Sequence, residues 1–376
     1  DIVRRRTPVG SEGSLFGKGA GFLRAWGRAA GIWKLVLSLV LAAGLAAGCG
    51  GAGGGGQGEG QAVTLRLSYQ WAQATTEKGD FRSVLAERFA REVEERTDGQ
   101  VKIRIYPNAS LVEPTEQYKA ITQGALDMSV FPLDYASGEV PQFSITLMPA
   151  MVQSHAQAQN WKEAEIGKRI EQIAQENGIK ILTWIWNAGG IGVRQGEPVV
   201  SPDDVNRGAV ARAAGPRVEQ MLRRAGYSIT SMPSSEIYNA MQTGVLDVAV
   251  TSASSFCSYR IYEVTESYTS PTENTFWFMF EPLIIGTEQF NQLTPEQQRI
   301  FEEVGAELQQ FAYEASEKDD AQCEQRFREA GVTVATMDDA AFEQWREISR
   351  PVWEDFAREV EGGRELIELA REVPTG

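Results

Sequence analysis

Few residues in this 376-residue chain have both the type and the setting for chemistry. Arg212 is the one charge in an Ala-rich strand candidate that follows Gly208. The single histidine, His155, stands in an Ala/Gln-rich helix start and reads as a surface residue. A lone histidine and three dispersed cysteines (Cys49, Cys257, Cys323) leave no zinc-binding constellation. No nucleophile elbow surrounds His155. Asp127, Asp247 and Glu236 are the carboxylates a periplasmic hydrolase or lyase would use, or that would hold a bridging Ca²⁺, but no calcium-loop motif accompanies them. Neither catalysis nor a metal or other cofactor is expected.

The formal net charge is -15. Seven basic and two acidic residues precede Cys49, so the rest of the chain carries about -20. A body this acidic is a poor partner for nucleic acid or an anionic membrane surface. If it takes an anion, a few placed cations inside a cleft must hold it.

The elements that would position such a cation are written twice. Glu116-Gln-Tyr118-Lys-Ala120-Ile-Thr-Gln-Gly124-Ala-Leu126-Asp127 and Glu236-Ile-Tyr238-Asn-Ala240-Met-Gln-Thr-Gly244-Val-Leu246-Asp247 share Glu, Tyr, Ala, Gly, Leu and Asp without a gap. Each follows a helix, a glycine, a strand and a proline. The pattern predicts two similar α/β lobes with a ligand cleft between them. The shared Tyr and Leu read as core, the Gly as a helix stop and the Asp as a turn cap.

Along the chain, Leu35–Ala47 is an apolar run behind Arg24, Arg28 and Lys34, the pattern of a signal peptide over residues 1–48 with an uncertain start. It ends in Ala46-Ala-Gly-Cys49, which resembles a bacterial lipobox and implies lipidation of Cys49. An ordinary cleaved signal peptide is the alternative. Residues 49–61 are a Gly-rich tether. Val63–Tyr69 alternates as a first strand, and Gln70-Trp71 stand at its C-terminal end, where open α/β sheets place ligand contacts. Asp134-Tyr135 fall in a loop. Asn187–Gly190 reads as a turn and a crossover. Thr294-Pro-Glu-Gln297 is a capped helix start, and that helix can run to Gly331, packing on one lobe, crossing open ground at Ser316–Gln322, and packing on the other. The expected lobes are 62–187 plus 275–315 and 188–274 plus 316–376. Cys257 and Cys323 are open to a disulfide, with buried free thiols the favoured expectation.

These features resemble the solute-binding subunit of tripartite ATP-independent periplasmic (TRAP) transporters, the DctP family. The resemblance rests on Glu95-Arg-Thr-Asp-Gly99 before Val101–Asn108, the Gly-Ala-Leu-Asp127 unit, Arg212 before Gly215-Pro-Arg-Val218, and Met232–Tyr238 through Gln242–Asp247. It covers nearly all of the chain after Gln61. It implies a type II-like, two-lobed periplasmic-binding-protein fold with discontinuous lobes and a long lobe-spanning helix. It implies capture of a small organic carboxylate and delivery to a TRAP membrane permease. Binding proteins of ATP-driven importers or sensor systems are the alternative.

The resemblance places Arg212 on the ligand carboxylate, where a guanidinium offers two parallel donors. Arg194 is a weaker second cation. The family often has an Asn after the second Gly-Φ-Φ-Asp unit; here Thr251 and Ser252 would offer hydroxyls instead. Trp71, Phe131, Tyr135, Phe256 and Trp277 are the aromatic pocket candidates. Together they favour a ligand with an apolar body and an anionic end over a polyhydroxylated acid.

Overall fold

A computed structural model describes residues 62–375. The expected signal peptide, the tether and Cys49 lie outside these residues. The first part of the chain runs β1 (Val63–Ser68), α1 (Phe81–Arg96), β2 (Val101–Tyr106), α2 (Gln117–Thr122) and β3 (Met128–Val130). Then come α3 (His155–Glu163), α4 (Glu165–Glu176) and β4 (Ile179–Thr183). The second part runs β5 (Trp186–Val193), β6 (Val210–Arg212), α5 (Pro216–Ala225), β7 (Ser228–Thr230), α6 (Ile237–Gln242), β8 (Val248–Ser252), α7 (Ala253–Ser258) and β9 (Ser267–Ser270). The chain closes with β10 (Phe278–Phe280), β11 (Leu283–Gly286), α8 (Thr287–Gln292), α9 (Pro295–Glu307), α10 (Gln309–Glu329), β12 (Thr333–Thr336), α11 (Asp339–Glu359) and α12 (Gly363–Arg371).

The strands form two sheets, one per lobe. The first has the order β2-β1-β3-β11-β4 and the second β12-β9-β5-β8-β6-β7, with β10 added to β5. The sequence repeat is visible in both. β1 pairs parallel with β2 and β3, and β6 pairs parallel with β7 and β8. Gly124 and Gly244 both take left-handed backbone (φ 72° and 75°), where glycine has no Cβ penalty, and each lets the chain leave its helix. The repeated aspartates do more than cap a turn. Asp127 accepts from the Arg66 backbone N–H (2.7 Å) and from its guanidinium. Asp247 accepts from the Val210 N–H (3.0 Å) and from Arg194. Each therefore pins its loop to the central parallel strand of its repeat, β1 or β6.

Five other expectations are corrected. Asn187–Gly190 is no turn: it lies inside the eight-residue, fully buried β5. Its glycines serve close approach, since a Cβ on Gly189 would fall 2.2 Å from Trp277, and one on Gly190 2.5 Å from the Thr269 carbonyl. The helix from Thr294 carries the expected capping box with Gln297, but a turn at Leu308 divides it into α9 and α10. The Ser316–Gln322 stretch crosses no open ground. Ser316 and Asp320 are buried there, Ser316 donating to the Trp186 carbonyl (2.5 Å) and Asp320 pairing with His155 (2.6 Å). His155 is thus a half-buried partner of α10, also edge-on to Phe278, and not a free surface residue. Cys257 and Cys323 are joined in a disulfide with Cα atoms 5.8 Å apart, tying α7 to α10. The polar sequence around each cysteine hid that approach.

The long helix spans both cores. Ile300 and Val304 on α9 pack with Leu182 and Phe301 in the first lobe, while Cys323 and Phe327 on α10 pack with Phe256 and Tyr268 in the second. β10 pairs with β5 on the second sheet and β11 returns to the first, pairing with β3 and β4. α11 packs on α5, and α12 packs on α4.

Candidate functional site

Arg212 closes β6, one residue beyond the strand's buried Ala211, and its side chain is wholly buried. Ala213 and Ala214, also buried, leave room around it. Nε donates to the Met232 carbonyl (2.9 Å), Nη1 to the Val250 carbonyl (3.0 Å) and Nη2 to the Tyr135 hydroxyl (3.2 Å). These are neutral acceptors. Three of five N–H groups are engaged, and Arg212 has no carboxylate partner among the described residues.

Tyr135 comes from the first lobe, in the 3₁₀ turn Leu133–Ala136 after β3. Its hydroxyl also accepts from the Ser234 N–H (3.2 Å). The Ser234 hydroxyl donates to Gln70 Oε1 (3.1 Å), and the Tyr259 hydroxyl to the Gln70 carbonyl (3.0 Å). Gln70 leaves β1 of the first lobe, while Ser234 and Tyr259 belong to the second. The lobes are closed on one another through this belt.

A second buried guanidinium stands behind it. Arg82, in the first turn of α1, lies 3.8 Å over the Trp71 ring. It donates to Glu281 (2.8 Å), to both oxygens of Asp80 (2.9 and 2.6 Å), and across the lobes to the hydroxyls of Ser252 (3.2 Å) and Ser255 (3.3 Å). All five donors are used. Asn187 donates to the same Glu281, and Ser258 to Asp80. Burial alone would lower the Arg82 pKa, but Asp80 and Glu281 hold it above its ordinary value. Burial raises Glu281, against the pull of Arg82.

The model of the bacterial extracellular solute-binding protein family 7, DctP, matches residues 70–359. The chain belongs to the DctP family. A solute-binding protein of Albidiferax ferrireducens is 41% identical over 310 residues, which is 82% of this chain and 91% of that one. The crystal structure of a TRAP periplasmic solute-binding protein from Rhodoferax ferrireducens with bound malonate superposes with a TM-score of 0.80 at 41% identity, covering 82% of this chain and 98% of that chain. A TRAP protein from Sulfitobacter with bound β-D-galacturonate shares the fold at TM-score 0.74 and 24% identity, covering 82% and 99%. The protein is thus a TRAP-type solute-binding protein of two-lobed fold.

In the belt between the lobes the structure gathers Arg212, Tyr135 and Gln70 directly, and Ser252 and Trp71 through Arg82. Thr251 is buried on β8 opposite Gly190. Trp277 lies against Gly189 of β5. Gln70 Nε2, Trp71 Nε1 and Trp277 Nε1 are buried donors with no partner among the described residues. Asp134 is buried beside Gly215 at the start of α5; Ser137 donates to its Oδ1 (3.0 Å), and its Oδ2 has no partner among the described residues. Burial pushes its carboxyl up to about 7, opposed by the Ser137 hydrogen bond; Glu219 raises it and Arg217 lowers it.

Two expected site residues are elsewhere. Phe256 packs edge-on with Tyr268 and Phe327 in the second-lobe core and touches Gly192, because α7 turns it inward from its N-cap at Ser252. Arg194 pairs with Asp247 (3.1 Å), half-exposed at the end of β5, so its charge is committed. Asp80, Arg82, Asn187, Ser234, Tyr259 and Glu281 were not singled out from sequence. Arg82 is off the apolar stripe of α1, and its partners lie up to 199 residues away.

Proposed function

We propose that the protein captures a small organic carboxylate between its lobes, with Arg212 as the seat of the carboxylate, and delivers it to a TRAP membrane permease. The carrying observation is the contrast between two wholly buried arginines. Arg82 is saturated and neutralised by Asp80 and Glu281, whereas Arg212 has neutral acceptors and unused donors. Buried Glu281 feels the charge of Arg212 without pairing with it, and a ligand carboxylate would supply the directly bonded partner with two parallel hydrogen bonds.

Around that charge we assign the ligand body to Gln70, Trp71, Tyr135, Thr251 and Trp277. Their unpartnered amide and indole donors and aromatic faces suit a small molecule with one anionic end. Among the described residues no second uncommitted cation accompanies Arg212 in this belt, which favours one strongly held carboxylate over two. The malonate bound to the Rhodoferax relative supports the carboxylate class. The lobes we take as moving bodies follow the two sheets, so the expected bounds 62–187 plus 275–315 and 188–274 plus 316–376 shift: all of β5 from Trp186 and β10 (Phe278–Phe280) move with the second sheet, and β11 with the first. We further assign Cys49 as a lipid anchor that holds the protein at the outer face of the cytoplasmic membrane; mass spectrometry of the membrane-extracted protein reads the acyl mass directly.

The central test is a thermal-shift screen with malonate, short apolar monocarboxylates and glucuronate on protein lacking the first 48 residues. A ligand at 100 times its dissociation constant adds about 2.7 kcal/mol. Stabilisation by a carboxylate that is absent in Arg212→Ala supports the reading. Equal stabilisation of wild type and Arg212→Ala sinks it. Tight binding of glucuronate alone keeps the carboxylate site but removes the apolar-body assignment.

A further inference from the structure

Two cavities among the described residues are lined by several arginines, and they differ in what those arginines hold. One, of about 510 Å³ between α1 and α9, contains Arg88, Arg91 and Arg96. Arg96 pairs with Glu307, Arg91 with Glu92 (3.4 Å), and Arg88 donates to the Thr76 carbonyl (2.7 Å) over the Phe311 ring. That cavity is internally satisfied.

The other, of about 590 Å³, lies between α11, α12 and the segment leading into α3. Arg346, Arg350, Arg364 and Arg371 line it, with Glu354 and Glu368. Arg346 pairs with Glu343, but its Nε is buried without a partner among the described residues. Arg350, Arg364 and Arg371 are exposed and form no ion pair or side-chain hydrogen bond among the described residues. With Arg346 paired to Glu343, three arginines against Glu354 and Glu368 leave this groove with a small positive excess on a body of about -20. In a chain so rich in acid, three exposed guanidiniums that form no ion pair with the carboxylates beside them are an unused attraction for an anion.

The groove is built, not incidental. Arg346, Arg350, Trp353 and Ala357 share one face of α11, and Arg364, Ile367 and Arg371 share one face of α12. Trp353 is held half-buried in the floor by its Nε1–H bond to the Pro149 carbonyl (2.8 Å). The chain end is strapped to the third wall by Ser154, whose hydroxyl donates to the Thr375 carbonyl (2.6 Å). Tryptophan and arginine around a concave apolar floor are what protein interfaces concentrate.

We propose that this groove is the docking surface for an acidic, protruding extracytoplasmic segment of the membrane permease. The partner follows from family membership and not from the role of Arg212. A flat anionic bilayer would meet the acidic body on both sides of the groove, whereas a protruding loop reaches only its basic interior. α11 packs on α5, which begins shortly after Arg212, and α12 packs on α4, next to the first sheet. A partner seated here touches helices tied to both lobes.

The test is binding of the intact protein to its cognate permease in phosphatidylcholine nanodiscs, read by biolayer interferometry. The variant Arg350→Glu/Arg364→Glu/Arg371→Glu should bind at least about tenfold more weakly, and wild-type binding should weaken as salt is raised. The unfolding midpoint and the thermal shift with malonate should match wild type, because the three side chains are exposed and outside the cleft. Arg212→Ala should lose the malonate shift and keep the permease, so the two readings fail separately. Undiminished permease binding by the triple variant overturns the proposal, as does absence of wild-type binding. Arginine-dependent binding to phosphatidylglycerol nanodiscs without permease overturns it in favour of lipid. Arginine-dependent self-association overturns it in favour of a second copy.

Discussion

Arg212 Nη2 donates to the Tyr135 hydroxyl at 3.2 Å, and the two residues come from opposite lobes. The bond joins the proposed carboxylate seat to the contact between the lobes. The same hydroxyl also accepts from the Ser234 N–H (3.2 Å), so it carries two bonds across the lobes. Removing the hydroxyl separates these roles. Tyr135→Phe loses two hydrogen bonds of about 1 kcal/mol each and should weaken carboxylate binding by up to about 30-fold, mainly through faster release. Stopped-flow release rates and the radius of gyration by small-angle scattering check it; an unchanged release rate would refute it.

Arg212→Lys is a sharper probe of the seat than Arg212→Ala. Lysine keeps the charge but not the planar fork, and it cannot serve Met232, Val250 and a carboxylate together. Truncating one partner of a buried charged pair costs about 2–5 kcal/mol in affinity. Calorimetry with the ligand found by thermal shift should show Arg212→Lys weakened by that order and Arg212→Ala below detection. Wild-type affinity in Arg212→Lys would mean that charge alone, without the fork, holds the ligand.

Arg82 predicts a stability effect instead. Arg82→Met leaves Asp80 and Glu281 buried without their cation, a loss of about 3–5 kcal/mol. Adding Glu281→Gln should recover part of it, because one of the stranded charges is then removed. Urea unfolding of the two variants at neutral pH checks both steps. Equal stability of the single and double variants would place the penalty on Asp80 alone.

The same contrast explains what sequence could and could not reveal. The repeat made both lobes legible, because Gly124 and Gly244 and the aspartates after them mark the same local geometry twice. Arg212 stood out as a lone charge in an alanine-rich strand, and the resemblance supplied its proposed role; the structure buries it wholly. Arg82 was not, since one arginine in a helix turn looks solvated until Glu281 and Ser252 arrive from distant segments. Asn187–Gly190 misled for a related reason. Glycine signals a turn locally, but here it signals Trp277 and Thr269 packed against a strand.

Asp134 sets a pH dependence. Its folded pKa is raised to about 7 from an ordinary 3.8, so between those values the folded protein binds more protons there than the unfolded chain. Stability from this group is therefore present at low pH and lost as pH rises through about 7. Asp134→Asn cannot ionise and keeps an acceptor for Ser137. The wild type should match the variant near pH 4 and fall below it by pH 8. Urea midpoints across that range check it; a gap that is constant with pH would show that Asp134 does not carry the slope.

The disulfide yields the last expectation. Cys257 and Cys323 are 66 residues apart, and closing a loop of that length stabilises by about 4 kcal/mol in the chain-entropy description. The bond also fixes α7 against α10, and α7 carries Ser255 and Ser258, which meet Arg82 and Asp80 of the other lobe. Reduction should thus lower the unfolding midpoint and, separately, weaken ligand binding, because the second-lobe half of the closure network loses its backing. Cys257→Ser/Cys323→Ala should reproduce both effects and abolish the response to reductant. Reduced protein with a lower midpoint but wild-type affinity would confine the disulfide to stability and leave closure to Tyr135 and Gln70.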